Sequence, residues 1–286
     1  MNSIKKMMLS GALGCLISGM AYADGSSPQP VKPYWQDIQV VAVNKEKPRS
    51  SFMSYADRET ALTSRFEKSP YYSLLNGTWK FFFVDSYKDL PQNITDPSVN
   101  TSSWDDITVP GNWEVQGHGV AIYTNHGYEF KPRNPQPPLL PEANPVGVYR
   151  RDIEIPASWD NRDIYLHIGG AKSGLYVYLN GKEVGYSEDS KNPAEFLINK
   201  YLQPGKNVLT LKIFRWSTGS YLECQDFWRM SGIERDVFLW SQPKASIQDF
   251  RVVSTLDDTY TNGIFKLAVD LKNHTQETKN LNVGYE

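Results

Sequence analysis

The sequence predicts an all-β protein built as a sandwich or barrel. Three observations carry that prediction. Short alternating apolar segments recur from residue 77 onward, Gly, Asn and Pro signals punctuate them, and no long helical period competes after residue 75. With 286 residues, 40% hydrophobic and 13% aromatic, the chain can bury one large core or two modest ones. A net charge of -2 and the lack of a Lys/Arg run argue against a nucleic-acid partner.

The N-terminus reads as a targeting segment. Lys5 and Lys6 precede an apolar stretch from Met7 to Met20, and Ala21-Tyr22-Ala23 fits the small-x-small cleavage rule. Residues 1–23 are therefore predicted to be a signal peptide, which makes the protein exported, periplasmic or secreted. Cys15, following Ala12-Leu13-Gly14, leaves a lipoprotein as the alternative. Beyond residue 23 there is no apolar run of the ~18 residues that a membrane helix needs. Cleavage would leave Cys224 as the sole cysteine, so no intrachain disulfide is expected and the fold must rest on its core. No His lies close to Cys224 in sequence, and a packed, inert thiol is the expectation.

Residues 24–50 are expected to be an extended leader, rich in Gly, Ser, Pro and Gln at its start. A short helix is expected within Arg58–Phe66. Gly77–Val84 then alternates as a strand should. Further strands are expected at Ile107–Val109, Gly147–Ile155, Asp163–Ile168, Gly174–Leu179, Lys182–Ser187, Val208–Phe214 and Arg235–Trp240. Asn180-Gly181 is a strong hairpin signal because both positions tolerate positive φ. Pro243-Lys244 looks like a linker, and Ile247–Ser254, Ile264–Leu271 and Leu281–Tyr285 read as three more strands. The first sandwich is thus placed at 51–242, and 243–286 is the start of a second, incomplete one.

Two stretches resist strand assignment: the Pro-rich segment Asn112–Val146, and Thr218–Gly232. Long ordered loops in a compact domain tend to be functional. Arg215–Asp236 holds two Trp, one Tyr, one Phe, three Arg and four acidic residues. Aromatics interleaved with charges suit a surface that grips a polar ring; they equally suit a loop covering the end of a core. Familiar catalytic signatures such as G-x-S-x-G, H-E-x-x-H and paired C-x-x-C are absent. His118 and His126 share the first long loop, but their spacing matches no metal-ligand pattern.

Several motifs carry a family resemblance. Leu75-Asn-Gly-Thr-Trp-Lys-Phe81, Val109-Pro-Gly-Asn-Trp113, Ile122-Tyr-Thr-Asn125, Asn144-Pro-x-Gly147-x-Tyr149, Asn180-Gly-x-x-Val-Gly-Tyr186, Asp189-Ser190 and Glu195-Phe196 occur in order. The most specific is Arg215-Trp-Ser-x-Gly-Ser-Tyr-Leu-Glu-x-Gln-Asp-x-Trp-Arg-Met-Ser-Gly-Ile-x-Arg-Asp236. From about Trp35 to Phe250 the chain resembles glycoside hydrolase family 2 enzymes, and within them the large β-galactosidases rather than β-glucuronidases or β-mannosidases.

That resemblance implies a five-domain enzyme that hydrolyses β-galactosides with retention. A jelly-roll sugar-binding domain comes first, an immunoglobulin-like sandwich second, and a (β/α)8 barrel with two catalytic Glu third. This chain would hold the first domain and the start of the second, with no catalytic residue of its own, and would be inactive alone. Two substrate-binding residues carry over. Asn125 would contact galactose, and Asp226 would ligate a sodium ion and contact the galactosyl group; an amide and a hard carboxylate suit those roles. Mg2+ is expected only in the barrel, because Thr218 stands where the family carries an acidic residue. Full-length members are commonly homo-oligomers. Within the loop, Trp216, Tyr221, Trp228 and Met230 are expected to form a packed frame, Arg229 and Arg235 to hold it by ion pairs, and Glu223 to pair with an Arg. A non-catalytic carbohydrate-binding module and a structural domain remain the alternative readings.

Overall fold

A computed structural model describes residues 32–130 and 135–285. The predicted signal peptide and the first part of the leader lie outside the described residues.

Two antiparallel sheets face each other across the main core. The larger has seven strands in the order Ala42–Val43, Lys182–Ser187, Gly174–Leu179, Lys206–Phe214, Val146–Glu154, Gly77–Val84 and Asp105–Val109. The smaller has four: Ala194–Leu197, Arg162–Ile168, Val237–Pro243 and Tyr72–Leu74. Trp79, Phe81, Tyr149 and Leu211 from the first sheet meet Leu166, Ile168, Phe196 and Leu239 from the second. Period-2 alternation accounts for the division. Along Val146–Glu154, Tyr149 and Ile153 enter this core, while Val146 and Val148 enter another on the outer face. The large sheet is therefore covered on both sides, and its central strands read as nearly continuous apolar runs.

The outer cover is made by residues 33–43 and by the loop that follows Val84. Trp35 is buried and stacks on Phe214, ring centroids 5.0 Å apart. Ala42 and Val43 pair with Ser187 and Tyr186. The segment expected to be a leader is thus a strap bound to the sandwich from Tyr34 onward. It passes so close that a Cβ on Gly185 would lie 2.3 Å from the Val43 carbonyl oxygen. Arg150 sits buried beneath the other part of the cover, donating to the carbonyls of Ile94 and Val99 and to Thr210 Oγ1. A guanidinium has donors enough to tie down an irregular loop that no ladder satisfies.

The predicted hairpin turn is present, with φ of 52° at Asn180 and 77° at Gly181. The helix is shorter than expected, Arg58–Leu62, capped by the Asp57 side chain. The strand expected at Arg235–Trp240 runs instead from Val237 to Pro243. Beyond the sandwich, Ala245–Leu256 and Gly263–Asn273 form a separate hairpin. Ile247, Val252, Phe265 and Leu271 are exposed on it. Leu281–Tyr285, expected to be a third strand, has no strand conformation; among the described residues the hairpin ladder stops at Asn273, and an isolated segment lacks the ladder that makes a strand.

Candidate functional site

Both stretches that resist assignment at the sequence level hold a short strand, and the two strands pair with each other. Ile122–Thr124 and Phe227–Arg229 form a two-stranded antiparallel ribbon with Tyr123 opposite Trp228 and Thr124 opposite Phe227. Asn125 and Asp226 are bends that adjoin this ladder, one directly after Thr124 and the other directly before Phe227. Tyr123 and Trp228 share one face of the ribbon, and Asp226 lies within reach of the Tyr123 hydroxyl. The four are exposed, Trp228 by half. The Tyr123 hydroxyl donates to Asp226 Oδ1 at 2.8 Å, and its ring lies 5.6 Å from that of Trp228. The same hydrogen bond and the Asp226 charge raise the Tyr123 phenol above its ordinary pKa.

A layer of buried charge supports this rim. Arg215 lies between Glu114, 3.4 Å away, and Glu129, 3.8 Å away, and Lys172 reaches Glu129 at 3.2 Å. Arg215 Nη2 also donates to the carbonyls of Val120 and Arg229, so one side chain clamps both strands of the ribbon. Burial raises the Glu114 carboxyl, offset by the Ser231 amide that donates to it. Asn144 exchanges two hydrogen bonds with the Trp216 backbone and fixes the start of the loop. Glu188, its carboxyl pushed up by burial, accepts from Thr218 Oγ1 and the Gly219 amide and holds the next turn. Tyr221 packs edge-on against Tyr128 and Phe130. The rim therefore has a rigid base, which a binding surface needs.

A family described as glycosyl hydrolases family 2, sugar binding domain, matches residues 72–243. The chain belongs to that family. A β-galactosidase of Priestia megaterium is 40% identical over 245 residues, 85% of this chain and 24% of its own length. One from Psychromonas ingrahamii is 37% identical over 243 residues, 85% of this chain and 23% of its own. The chain thus spans about a quarter of the length of the curated relatives it matches. In fold it is similar to a Bacteroides uniformis β-glucuronidase, with a TM-score of 0.56 at 20% identity over 72% of this chain and 22% of that one.

The motifs that carry the sugar-binding domain's resemblance meet in space. Trp113 of the Val109–Trp113 segment is fully buried and its indole donates to the Tyr149 hydroxyl. Both predicted site residues adjoin the ribbon at the same end, Asn125 after one strand and Asp226 before the other. Tyr123 is the participant that sequence reasoning did not single out; its signal was available, since it belongs to the same Ile122–Asn125 motif.

Three expectations about the loop are corrected. Trp228 is not part of a packed frame; it is half exposed, with the exposed Tyr123 as its ring neighbour. Arg229 is buried but donates to the Glu223 carbonyl rather than to a carboxylate, and Arg235 is exposed with no ion pair among the described residues. Glu223 binds the Ser190 amide and hydroxyl instead of an Arg, since its position beside that turn offers two donors in reach. Trp216 is buried as expected. Cys224 packs with its Sγ 3.1 Å from the Ser220 carbonyl, and burial pushes the thiol up, away from the reactive thiolate. His118, partly buried, lies edge-on to the buried Phe81 ring. Among the described residues no cluster of three or more His, Cys, Asp or Glu is placed to hold a metal, and no helix is long and apolar enough to cross a membrane.

Proposed function

We propose that this chain is the sugar-binding end of a retaining β-galactosidase whose catalytic barrel lies in the rest of a longer protein. One observation carries the reading: Asn125 and Asp226, far apart in sequence, adjoin the same end of one ribbon, beside the exposed rings of Tyr123 and Trp228. The identity of 37–40% to curated β-galactosidases supports the same substrate class. In this reading the barrel supplies both catalytic Glu, and this domain completes the galactose pocket. The Asn125 carboxamide offers a donor and an acceptor to one sugar hydroxyl.

Asp226 fits a sodium ligand in chemistry, being an exposed hard oxygen donor whose Oδ1 is already oriented by Tyr123. One carboxylate is not a coordination shell, so the other oxygen ligands belong to the rest of the protein. A bound sodium ion would offset negative charge at the pocket and give sugar hydroxyls a cationic partner. Tyr123 holds the carboxylate in place, and Trp228 offers a flat apolar face to the ring. Export, oligomerisation of the full-length protein and a hairpin that begins an immunoglobulin-like domain belong to the same proposal. A second reading, a binding module without catalysis, is favoured by the half-exposed rings of Tyr123, Phe227 and Trp228.

The test is hydrolysis by the full-length protein. Nitrophenyl β-galactoside should be cleaved far faster than the matching β-glucuronide and β-mannoside. Preference for either rival, or no hydrolysis by folded protein, sinks the proposal.

A further inference from the structure

A cavity of about 320 Å³ opens on the outer face of the four-stranded sheet. No residue of the Tyr123–Asp226 ribbon lines it. The strap Lys45–Met53 makes one wall, the turn Asp189–Pro193 another, and His167, Glu195 and Phe238 the floor. Its size falls at the lower end of the ~300–1,000 Å³ usual for small-molecule sites.

The floor is preorganised. Glu195 accepts from Arg49 Nε and Nη2, both at 2.9 Å, and from the Trp240 indole at 3.1 Å. Arg49 in turn stacks over the rings of Phe52 and Trp240. The same carboxylate takes His167 Nδ1 at 2.8 Å, and the imidazole lies flat on Phe238 with centroids 4.1 Å apart. Burial pushes the Glu195 carboxyl up, but its bonds to His167 and Arg49 outweigh that and hold it below the usual range. Because Nδ1 is committed to Glu195, Nε2 is the ring nitrogen left to a ligand.

The lining charges cancel. Lys45, Lys47 and Arg49 stand against Glu46, Asp189 and Glu195. A site so balanced favours neither anion nor cation. Met53, Phe66 and Phe238 give it an apolar side, while Asn192 and Ser51 give it neutral hydrogen-bonding groups. A body with one apolar face and several hydroxyls matches this set.

We infer that this cavity binds a neutral sugar of one or two rings at a site distinct from the Asn125/Asp226 rim, with His167 Nε2 as a ligand-facing group. Calorimetry on the full chain with galactose, glucose and lactose tests it. The Asp226→Ala variant should bind one of these sugars saturably, as the unaltered chain does. Ser51→Trp, a change at an exposed position on the cavity wall, should abolish that heat with the melting temperature unchanged. His167→Phe keeps the stack on Phe238 and removes the ring nitrogens; it should weaken binding at least tenfold. The inference is overturned if Asp226→Ala gives no saturable heat, if Ser51→Trp leaves the heat intact, or if inorganic phosphate binds where the sugars do not.

Discussion

Replacing Gly147 with Ala should destabilise the sandwich, against the usual trend for a glycine inside a strand. Gly147 lies in the strand Val146–Glu154 without positive φ, so the backbone itself would accept alanine. In such a setting the lost chain entropy of glycine makes Ala the better residue by about 0.5–1 kcal/mol. The surroundings reverse the sign. A Cβ at this position would lie 2.7 and 2.8 Å from two atoms of the Phe81 ring and 2.8 Å from the Trp113 indole. Both rings are wholly buried, and the Trp113 indole is bonded to Tyr149. Neither can swing away without breaking the core, so the overpacking cost of about 1–3 kcal/mol applies at its upper end. The net loss is about 2–2.5 kcal/mol, a fall in Tm of roughly 4–10 °C for a domain of this size. Gly263→Ala is the control, since nothing lies within 4 Å of its Cβ position and its φ is ordinary; it should be neutral or slightly stabilising. Thermal and urea unfolding of both variants measure this. A Gly147→Ala protein as stable as the parent would refute the packing reasoning.

Arg49→Leu should destabilise by less than the ~3–5 kcal/mol of a wholly stranded buried charge, because Glu195 keeps its bonds to His167 and Trp240; urea unfolding at neutral pH reads this directly. The same carboxylate gives a pH dependence. Its native pKa is lowered, so its contribution to stability is full above the unfolded value of about 4.3 and is lost as pH falls through the lower native value. Glu195→Gln should therefore flatten the acid limb of a stability–pH curve, and an unchanged limb would count against the pairing. Tyr123→Phe should leave stability within about 0.5 kcal/mol, the bond being on the surface, yet lower kcat/KM in the full-length enzyme. Equal loss in stability and activity would show that Tyr123 packs rather than positions.

Strands of six or more residues were legible because alternation and turn chemistry agree there; Gly77–Val84 and the Asn180-Gly181 hairpin need no tertiary information. The two-residue strands at Gly111–Asn112 and Gly232–Ile233 were not, since so short a piece is defined only by its partner. The strap was misread for a related reason. Gly, Ser and Pro near its start hid the meaning of Trp35, whose burial depends on Phe214 and Tyr87 far along the chain. At the site, motif resemblance singled out Asn125 and Asp226, but the ribbon that aligns them was invisible. Trp228 shows the limit of composition: a tryptophan in a loop has no inside or outside until register assigns one. Arg229 shows another, because a buried guanidinium in a loop with carboxylates can bond a backbone carbonyl and leave its Nε and Nη2 without a partner among the described residues.

Steady-state kinetics of Asn125→Ala and Asp226→Ala in the full-length enzyme test the central claim most directly, with folding checked by Tm. Loss of a charge-assisted contact at the sugar should lower kcat/KM by an amount equivalent to about 2–4 kcal/mol, and Asp226→Ala should also abolish any dependence on sodium concentration. Near-normal kcat/KM in both variants, with sodium dependence intact, would mean that the Tyr123–Asp226 rim is a structural edge and not part of the galactose pocket.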